Sequence, residues 1–406
     1  MPLQQNVSTE IRYAPEVTWG TAPGASTTAQ SLRRVSSTLS LNRDSFQSAE
    51  VSLHRQLSDM RLGTRRAQGD ISGEMSPGTY ADFVEAWTRG TWAATTSITE
   101  ATGAMSSATL SVSSNVVTAS AGSFITAGLK IGDVVRFTEG FAAGNLNKNL
   151  RVTSLTSTTM TVVGATLSNE AGPISTYTIA TPGKKVMPPA SGHTNRSFAV
   201  EINYSDIDTS ELYTGCRVGR MQFGLPASGM SSFLVGLAGK DMSILSGASA
   251  PYYTGTVTSP TSTGILAAVN GSLLLNGTAI SVVTGLEFTC ELSPQSDAVV
   301  GSNTVSEIFL GRNLLTGNLT ALLEDSTYIS AFLNETEISL AVQLNVDSSA
   351  NSDFFSIFLP RVKLSSATVQ RQGDGGIPVS FAFQALKKAT TTGFDASTVI
   401  FQDSTL

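Results

Sequence analysis

The chain has 406 residues, only 14% of them charged, and its formal net charge is -6 with a pI near 5.1. This length predicts two or three domains. The acidic balance argues against nucleic-acid binding over the whole surface, because contacts to phosphate need lysine and arginine. No apolar run reaches the roughly 18 residues of a membrane-spanning helix, so we predict no membrane partner.

The first 30 residues show little hydrophobic periodicity and are interrupted by Pro15 and Pro23. We therefore predict an N-terminal arm, residues 1–30, that packs on a neighbour or stays loose. After the arm, apolar alternation predicts a first strand, a turn near residues 42–44 and a second strand through residues 51–55.

A basic segment, residues 54–68, follows the second predicted strand, and Asp59 is its only acidic residue. Its arginines are Arg55, Arg61, Arg65 and Arg66. The segment is predicted to form a long hairpin or loop. In one interpretation it is a solvated edge hairpin whose charges discourage aggregation. In the other, the four arginines form a docking loop for an acidic partner surface.

A helix is predicted to begin at Ser76, a suitable N-cap residue, with Pro77 in its first turn. The apolar residues that follow are spaced as on one face of a helix: Tyr80, Phe83, Val84 and Trp87. Gly90 is expected to end the helix. The apolar stripe predicts that this helix covers one face of a sheet.

The composition changes between residues 93 and 193 to a Ser/Thr-rich run of short strands. The predicted strands are residues 109–112, 116–119, 134–137, 150–155, 160–163 and 177–179. Strands at this spacing are typical of a small barrel or sandwich. We therefore predict an inserted all-β domain over residues 93–193, with an exit rich in proline and glycine.

Further strands follow this insert. Residues 31–92 and 194–246 are predicted to form one discontinuous unit, because the strands after the insert complete the unit that it interrupts. Residues 247–264 are rich in Gly, Ser and Pro and are predicted to be a linker. We predict a second unit over residues 265–388 and a polar C-terminal tail over residues 389–406.

The two units share a sequence repeat. Residues 59–80 and 307–328 align without a gap at an offset of 248 and share Leu, Gly, Gly, Thr and Tyr at matching positions. Downstream, residues 197–203 match residues 339–345 at an offset of 142. A duplication explains both matches, and the difference of about 106 between the offsets locates an insertion in the first copy. The alternative is that β-rich segments look alike through shared use of Val, Thr and Gly.

Patterns that would support catalysis or cofactor binding are missing from the sequence. The two histidines, His54 and His193, are 139 positions apart and indicate neither a metal site nor a catalytic triad. Acidic pairs fall at helix or strand starts, where capping explains them. Cys216 and Cys290 lie in apolar runs, so buried free thiols are favoured over a disulfide. We predict no enzyme activity, no cofactor and no metal.

Ten short sequence blocks occur along the chain in an order that is typical of a known family. They are residues 16–23, 73–78, 204–207, 215–218, 239–242, 269–271, 285–286, 300–303, 359–362 and 383–385. Together they resemble tail tube (major tail) proteins of long-tailed bacteriophages, and the insert is similar to small β-domains that decorate phage tail proteins. The resemblance implies a mainly β fold with two tandem tail-tube-type sandwich or barrel units, each with a short α-helix, plus a small inserted all-β domain.

The resemblance also implies a function. The chain would be a structural subunit of the virion tail, assembled in the host cytoplasm into stacked rings that form the channel for DNA passage from capsid to host. DNA would pass without specific binding, and the partners would be other tail proteins such as the tape measure, tail terminator and distal tail proteins. The four arginines, Arg55, Arg61, Arg65 and Arg66, would form an inter-ring docking loop.

Two tail-tube units in one chain imply a ring of three chains with pseudo-sixfold symmetry, and a ring of six is the alternative. The prediction rests on the duplication, because the resemblance implies that single-copy tail tube subunits form rings of six. A different function class is also open: a β-modular virion or cell-surface adhesin whose inserted domain is the binding unit.

Overall fold

The computed structural model describes residues 3–51, 53, 55–371, 375–389 and 393–406. Within these ranges the protein consists mainly of β-strands, with two α-helices and five short 3-10 helices. The predicted mainly β fold class is therefore confirmed. None of the helices in these ranges has the length and apolar character needed to cross a membrane.

The strands are numbered along the chain. The first five strands are β1 (Thr9–Pro15), β2 (Ala29–Ser31), β3 (Ser36–Ser37), β4 (Ser40–Gln47) and β5 (Met60–Glu74). Helix α1 (Ala81–Thr88) follows β5. The next ten are β6 (Ala93–Ala94), β7 (Ser97–Thr99), β8 (Leu110–Ser113), β9 (Val116–Ala119), β10 (Val134–Glu139), β11 (Leu150–Leu155), β12 (Thr159–Val163), β13 (Glu170–Ile174), β14 (Thr178–Ala180) and β15 (Lys184–Val186).

The remaining strands and helices complete the chain. Five strands come next: β16 (Phe198–Tyr204), β17 (Thr209–Pro226), β18 (Ser232–Gly239), β19 (Asp241–Ser246) and β20 (Val257–Thr258). The last elements are β21 (Ser272–Leu275), β22 (Thr278–Ala279), β23 (Val283–Glu291), β24 (Leu314–Leu322), α2 (Thr327–Leu333), β25 (Ile338–Asn345), β26 (Phe354–Val369), β27 (Pro378–Ala385) and β28 (Ile400–Asp403). The 3-10 helices are Asn6–Ser8, Gly103–Met105, Ala143–Asn145, Gly247–Ser249 and Ala268–Asn270.

Eight strands form one continuous antiparallel sheet, which we call the main sheet. Their order is β4–β5–β18–β17–β23–β24–β27–β26. Alternate residues along these strands are buried, such as Met221 and Phe223 on β17 and Phe288 on β23. The residues between them are mostly polar. This alternation is expected of a sheet with one face on the core and one face in solvent.

A second layer packs on the apolar face of the main sheet. The long strands β17 and β26 belong to both layers, because their N-terminal parts pair with β16 and β25. β1 and β21 extend this layer on either side. Helix α1 contributes Phe83 and Trp87, both fully buried, and the Phe83 ring lies 4.9 Å from Tyr13 and 5.2 Å from Phe198. The predicted apolar stripe of this helix therefore faces the core.

The two halves of the structure have the same strand pairing. In the first half the order is β4–β5–β18–β17–β16–β1, and in the second it is β23–β24–β27–β26–β25–β21. In each half the helix follows the second strand of the series. The repeated sequence segments thus fall on equivalent elements, and the antiparallel pair β17–β23 joins the two halves.

One hydrophobic core extends through both halves. Phe223 of the first half stacks on Phe288 of the second with ring centroids 4.8 Å apart. The same ring lies 6.2 Å from Phe355 and 5.9 Å from Phe401. Burying each such side chain contributes about 1.5–3 kcal/mol. The two halves therefore share one hydrophobic core and are not separate domains joined by a linker.

Residues 97–180 form a second eight-stranded antiparallel sheet, in the order β13–β8–β9–β12–β11–β10–β14–β7. We call it the small sheet. It has its own buried cluster, which includes Phe124, Phe137 and Tyr177. All six strands predicted from the sequence in this region are found, each within two residues of its predicted ends. β7 and β13 are not predicted from the sequence.

The N-terminal segment is not a loose arm. All seven residues of β1 pair with β16, and Tyr13 on β1 donates a hydrogen bond of 2.9 Å to Asp82 of helix α1. Ile11 and Ala14 are also buried. The prediction fails because the first strand of the chain is completed by β16, which lies almost 190 residues later in the sequence, and local periodicity cannot show such a partner.

Two local predictions near the first hairpin are also wrong. The predicted turn at residues 42–44 lies inside β4, because this strand continues along its partner β5. Helix α1 begins at Ala81 with Tyr80 as its N-cap. Ser76 instead hydrogen bonds to Thr79 at 2.5 Å within the preceding turn.

The predicted linkers and tail carry strands. β15 lies in the proline-rich exit of the insert, and β20 in the predicted linker pairs in parallel with β2. In the predicted polar tail, β28 lies between β15 and β26, and Val399 and Phe401 are fully buried. Tertiary pairing overrides the Ser/Thr-rich local composition here.

Candidate assembly surfaces

The solvated face of the main sheet, which we call the polar face, extends across its eight strands. Its members include Gln68, Asp70, Ser72, Arg220, Gln222, Glu287, Thr289, Asn318, Thr320, Thr368 and Ser380, which neighbour one another across the strand register. Hydroxyl and amide groups predominate on it. A face of this kind stays in contact with water and offers few apolar anchors to a tightly bound ligand.

The charges on the polar face are paired with one another. Arg220 contacts Asp70 at 2.8 Å, and Arg66 contacts Asp44 at 2.8 Å. Gln222 donates a hydrogen bond to Glu287. Exposed pairs of this kind contribute only about 0–1 kcal/mol to stability. Their main effect is to neutralise Arg220 and Arg66, which gives this part of the face mixed charge.

Both ends of the main sheet are edges. β4 pairs with β5 on one side, and the C-terminal part of β26, residues 363–369, pairs with β27 on one side. Among the described residues, no strand pairs with the other side of either segment. Unpaired strand edges are templates for another chain unless they are covered, so these two edges are candidate contact surfaces.

A hairpin extends from the main sheet at the β4 edge. Its outer part, residues 42–66, which we call the distal hairpin, carries six apolar side chains that are each more than half exposed: Phe46, Val51, Leu53, Leu57, Met60 and Leu62. Sequence reasoning did not select them, although Phe46 and Leu62 alternate with polar residues on strands β4 and β5. A concentration of exposed apolar residues marks an interaction surface.

The four arginines predicted to form a docking loop are brought together only in part. Arg55 and Arg61 are exposed, and Arg61 contacts Asp59 at 2.9 Å. Arg65 forms an ion pair with Asp241, and its backbone N–H donates to Asn303 at 2.8 Å. Arg66, as described above, is paired on the polar face. The structure thus leaves Arg55 and Arg61 available to a partner on the distal hairpin and places Arg65 against the body of the protein.

The second half contains an equivalent connection, residues 292–313, between β23 and β24. It packs on the first half at several points. Leu292 donates a backbone hydrogen bond of 2.8 Å to Gly219, and Glu307 contacts Arg217 at 2.5 Å. Each connection thus occupies the same place in its half. The second packs on the first half at these points, and the first reaches the second half through the hydrogen bond from Arg65 to Asn303.

The small sheet lies against the second layer of the second half, on the side away from the polar face. Arg151 from β11 is buried there and donates hydrogen bonds to Val342 at 3.1 Å and to Ser356 at 2.7 Å. Burial lowers the pKa of Arg151 to about 10. This value is still well above 7, so the side chain is charged at neutral pH. Gln402 on β28 exchanges two hydrogen bonds with the backbone of Val134, at 2.9 and 3.0 Å.

A buried ion cluster fixes the base of the small sheet. Lys185 on β15 contacts Asp133 at 2.6 Å and Asp395 at 3.5 Å. Burial alone would lower the pKa of Lys185, but the two carboxylates outweigh it and raise the pKa. Burial raises the pKa of Asp133, although Lys185 partly offsets this. The cluster therefore depends on its single lysine.

The residues considered for chemistry remain apart. His193 is exposed, and His54 lies outside the described residues. Cys216 and Cys290 are free and fully buried, and burial raises the pKa of both thiols. In the part of the chain that the structure describes, no group of three His, Cys, Asp or Glu side chains could hold a metal ion.

The sequence matches one family model, described as phage tail tube protein, over residues 7–385. This span contains both halves of the main sheet and the small sheet. The comparison with individual curated proteins found no match.

Proposed function

Because the chain belongs to the phage tail tube protein family, and is thus a structural subunit of the virion tail, we propose that its copies join edge to edge into rings. The rings stack into the channel through which DNA passes from capsid to host. The adhesin alternative is not favoured by the family match. No enzyme activity is part of this proposal.

The observation that carries the proposal is the main sheet with its two open edges. Strand directions alternate across its eight strands, so the β26 edge of one chain and the β4 edge of the next meet as antiparallel neighbours. A head-to-tail contact of this kind makes a ring when its rotation closes. Closure removes every exposed edge from the barrel.

We propose a ring of three chains, with six as the alternative. The β17–β23 pair is already a contact between two equivalent halves, so one chain supplies two of six positions. Three chains place twenty-four strands in one barrel. The inserted small sheets, on the side away from the polar face, project outward as three decorations.

The polar face would line the channel. Its arginines are paired with Asp70 and Asp44, so DNA phosphates meet no unpaired positive patch. Protein contacts to phosphate strengthen binding with every lysine or arginine they use. A neutralised, hydroxyl-rich lining is therefore suited to passage without specific binding.

The distal hairpin is the surface that we assign to contacts between stacked rings, with Arg55 and Arg61 at its exposed positions. Other tail proteins, including the tape measure, tail terminator and distal tail proteins, would meet the inside and the two ends of the tube. Assembly would take place in the host cytoplasm.

The test is the assembly state of the purified protein. Negative-stain images at high concentration should show rings or tubes, and native mass spectrometry of an isolated ring should give about 127 kDa for three chains of 42.4 kDa. A mass near 254 kDa would mean six chains and would contradict the threefold ring. A protein that stays monomeric at all concentrations would contradict the proposed function.

A further inference from the structure

We infer that β4 of one chain pairs with β26 of the next in a single register, with Leu41 opposite Ala367 and Leu39 opposite Val369. The inference rests on the proposed ring and specifies how its chains join. The partner is a second copy of the same chain. The register comes from the internal junction between the two halves.

The internal junction serves as the template. In it β17 and β23 pair in antiparallel register, with Met221 opposite Cys290, Gln222 opposite Thr289 and Phe223 opposite Phe288. The apolar pairs face the core and the polar pair lies on the polar face. In a ring, the junction between chains repeats this contact with the equivalent strands of the two halves.

The β4 side of the contact is identified by the pairing of its neighbour. Ser36 pairs with Ser72 and Ser40 with Gln68, both on β5. In the second half, Gly285 pairs with Thr320 and Thr289 with Thr316, both on β24. The residues on β5 and β24 are related by the repeat offset of 248. Residues 36–42 therefore correspond to residues 285–291, and the residue numbers differ by 249 at every position.

The β26 side is identified in the same way. The irregularity in β17 falls between Val218 and Arg220, opposite consecutive residues of β18. The irregularity in β26 falls between Leu364 and Ser366, opposite consecutive residues of β27. The residue numbers of β17 and β26 differ by 146 at these equivalent positions, and so do those of their partners β18 and β27. Residues 220–223 thus correspond to residues 366–369.

The transferred register satisfies a chemical test that was not used to derive it. Leu39 is buried, and Ala367 and Val369 are partly buried against the same core. Ser40 and Thr368, which the register places opposite each other, are both exposed. Facing residues of an antiparallel pair share a face, and a slip of one residue would place the two core-facing leucines opposite polar-face residues of the next chain.

The experiment is a cysteine cross-link in assembled protein. A chain carrying both Ser40→Cys and Thr368→Cys presents the two thiols at every junction, where facing Cβ atoms lie about 4.5–5.5 Å apart. Mild oxidation should give disulfide-linked dimers and then a closed ring. The native cysteines are fully buried and contribute little background.

Two matched variants calibrate the yield. The pair Gln222→Cys with Thr289→Cys occupies the equivalent internal position and should link within one chain. The pair Ser40→Cys with Ser366→Cys shifts the register by two residues on the same face, where Cβ atoms are about 7–8 Å apart. We expect roughly tenfold fewer disulfides for this shifted pair, because its Cβ atoms are several ångströms farther apart than the roughly 3.5–4.5 Å of a disulfide, whereas the facing pair lies within about 1 Å of that range.

The outcomes separate the register from the proposed function. Rings that link through the shifted pair and not through Ser40 and Thr368 would overturn the register and leave the ring intact. A ladder that ends at six chains would support the register and contradict the threefold ring. A wild-type protein without rings would overturn both.

A second measurement does not depend on any substitution. In wild-type protein, hydrogen exchange should slow on ring formation at the amides of residues 38–42 and 366–370. Unchanged exchange at both segments in verified rings would overturn the inference.

Discussion

At the scale of single residues, the contact between the small sheet and the main body depends on a few buried polar groups. Gln402 is 2% exposed and satisfies the backbone N–H and C=O of Val134 as well as the carbonyl of Pro182 at 3.0 Å. The two contacts with Val134 are buried, and the contact with Pro182 is partly buried. Removing the amide would leave each of them without a partner, and a buried unsatisfied group costs about 1–3 kcal/mol.

Gln402→Leu should therefore lower the free energy of unfolding by about 3 kcal/mol or more, since several buried groups lose their partner. Chemical denaturation measures the loss. The matched control is Gln384→Leu on β27, whose side chain is exposed and whose substitution should change stability by no more than about 0.5 kcal/mol. Equal effects of the two substitutions would contradict this account of the interface.

Lys185 allows a test through pH. Its folded-state pKa is raised, so the lysine contributes stability below its unfolded pKa of about 10.4 and loses it as pH rises through the folded value. Lys185→Met leaves Asp133 and Asp395 without their cation and should cost about 3–5 kcal/mol near pH 8. Part of that loss should return toward pH 5, because a neutral Asp133 needs no cation.

The control for this substitution is Lys184→Met, one residue earlier on β15 and outside the ion cluster. It should have little effect and no special pH dependence. If Lys185→Met were equally destabilising at pH 5 and pH 8, the loss would come from packing and the electrostatic explanation would be wrong.

At the scale of elements, the sequence predicts what is local and misses what is paired over a distance. The strands of the small sheet are recognisable because alternation and turns recur within a few residues, as in residues 116–119 and 150–155. β1 and β28 are not recognisable, because their partners are remote in the chain. The open edges of the main sheet, at β4 and β26, follow from the strand order and have no local signal at all.

The stem of the small sheet suggests a sharper boundary for its removal than the predicted residues 93–193. Ala94 on β6 pairs directly with Lys184 on β15, so residues 95–183 can be replaced by an Asn-Gly turn, which favours a two-residue hairpin. The shortened protein should fold, with lower stability, and still form rings by electron microscopy. Complete loss of folding would show that the small sheet is not separable.

The matched comparison is a larger deletion of residues 94–192. It also removes β15 and therefore leaves β28 without one of its two neighbours. We expect this version to be the less stable of the two. If both shortened proteins had the same stability, β15 would make no contribution to holding β28.

At the scale of the whole molecule, the two halves and their shared core form one rigid part of the proposed tube. Phe223 and Phe288 stack across the junction, so the angle between the halves is set by packing. In contrast, the distal hairpin exposes apolar side chains to solvent. Each would gain about 1.5–3 kcal/mol on full burial, and a neighbouring ring can supply that burial.

Phe46→Ser combined with Leu62→Ser should therefore weaken ring stacking while individual rings still form. Sedimentation or electron microscopy at matched concentrations would show short stacks or single rings in place of tubes. The unfolding free energy of the monomer should change little, because both side chains are exposed.

A companion substitution tests the role of charge. Arg61→Glu reverses an exposed charge and should weaken stacking mainly at low salt, since salt screens exposed charges. Tubes of normal length from the Phe46 and Leu62 double variant would rule out the distal hairpin as the contact between rings. Normal stacking of the Arg61 variant at low salt would show that the charge of Arg61 does not contribute and that the apolar residues make the contact between rings.

The alternating strand direction in the main sheet limits how the width of such a tube can change during evolution. A single extra strand per chain would force a parallel pair at every junction, so strands can be gained or lost only as whole hairpins. With neighbouring strands about 4.8 Å apart, one hairpin in each of three chains would add about 29 Å of circumference, or roughly 9 Å of diameter. At a fixed strand tilt the bore would therefore change in steps of this size, and intermediate widths would require a change in tilt and stagger.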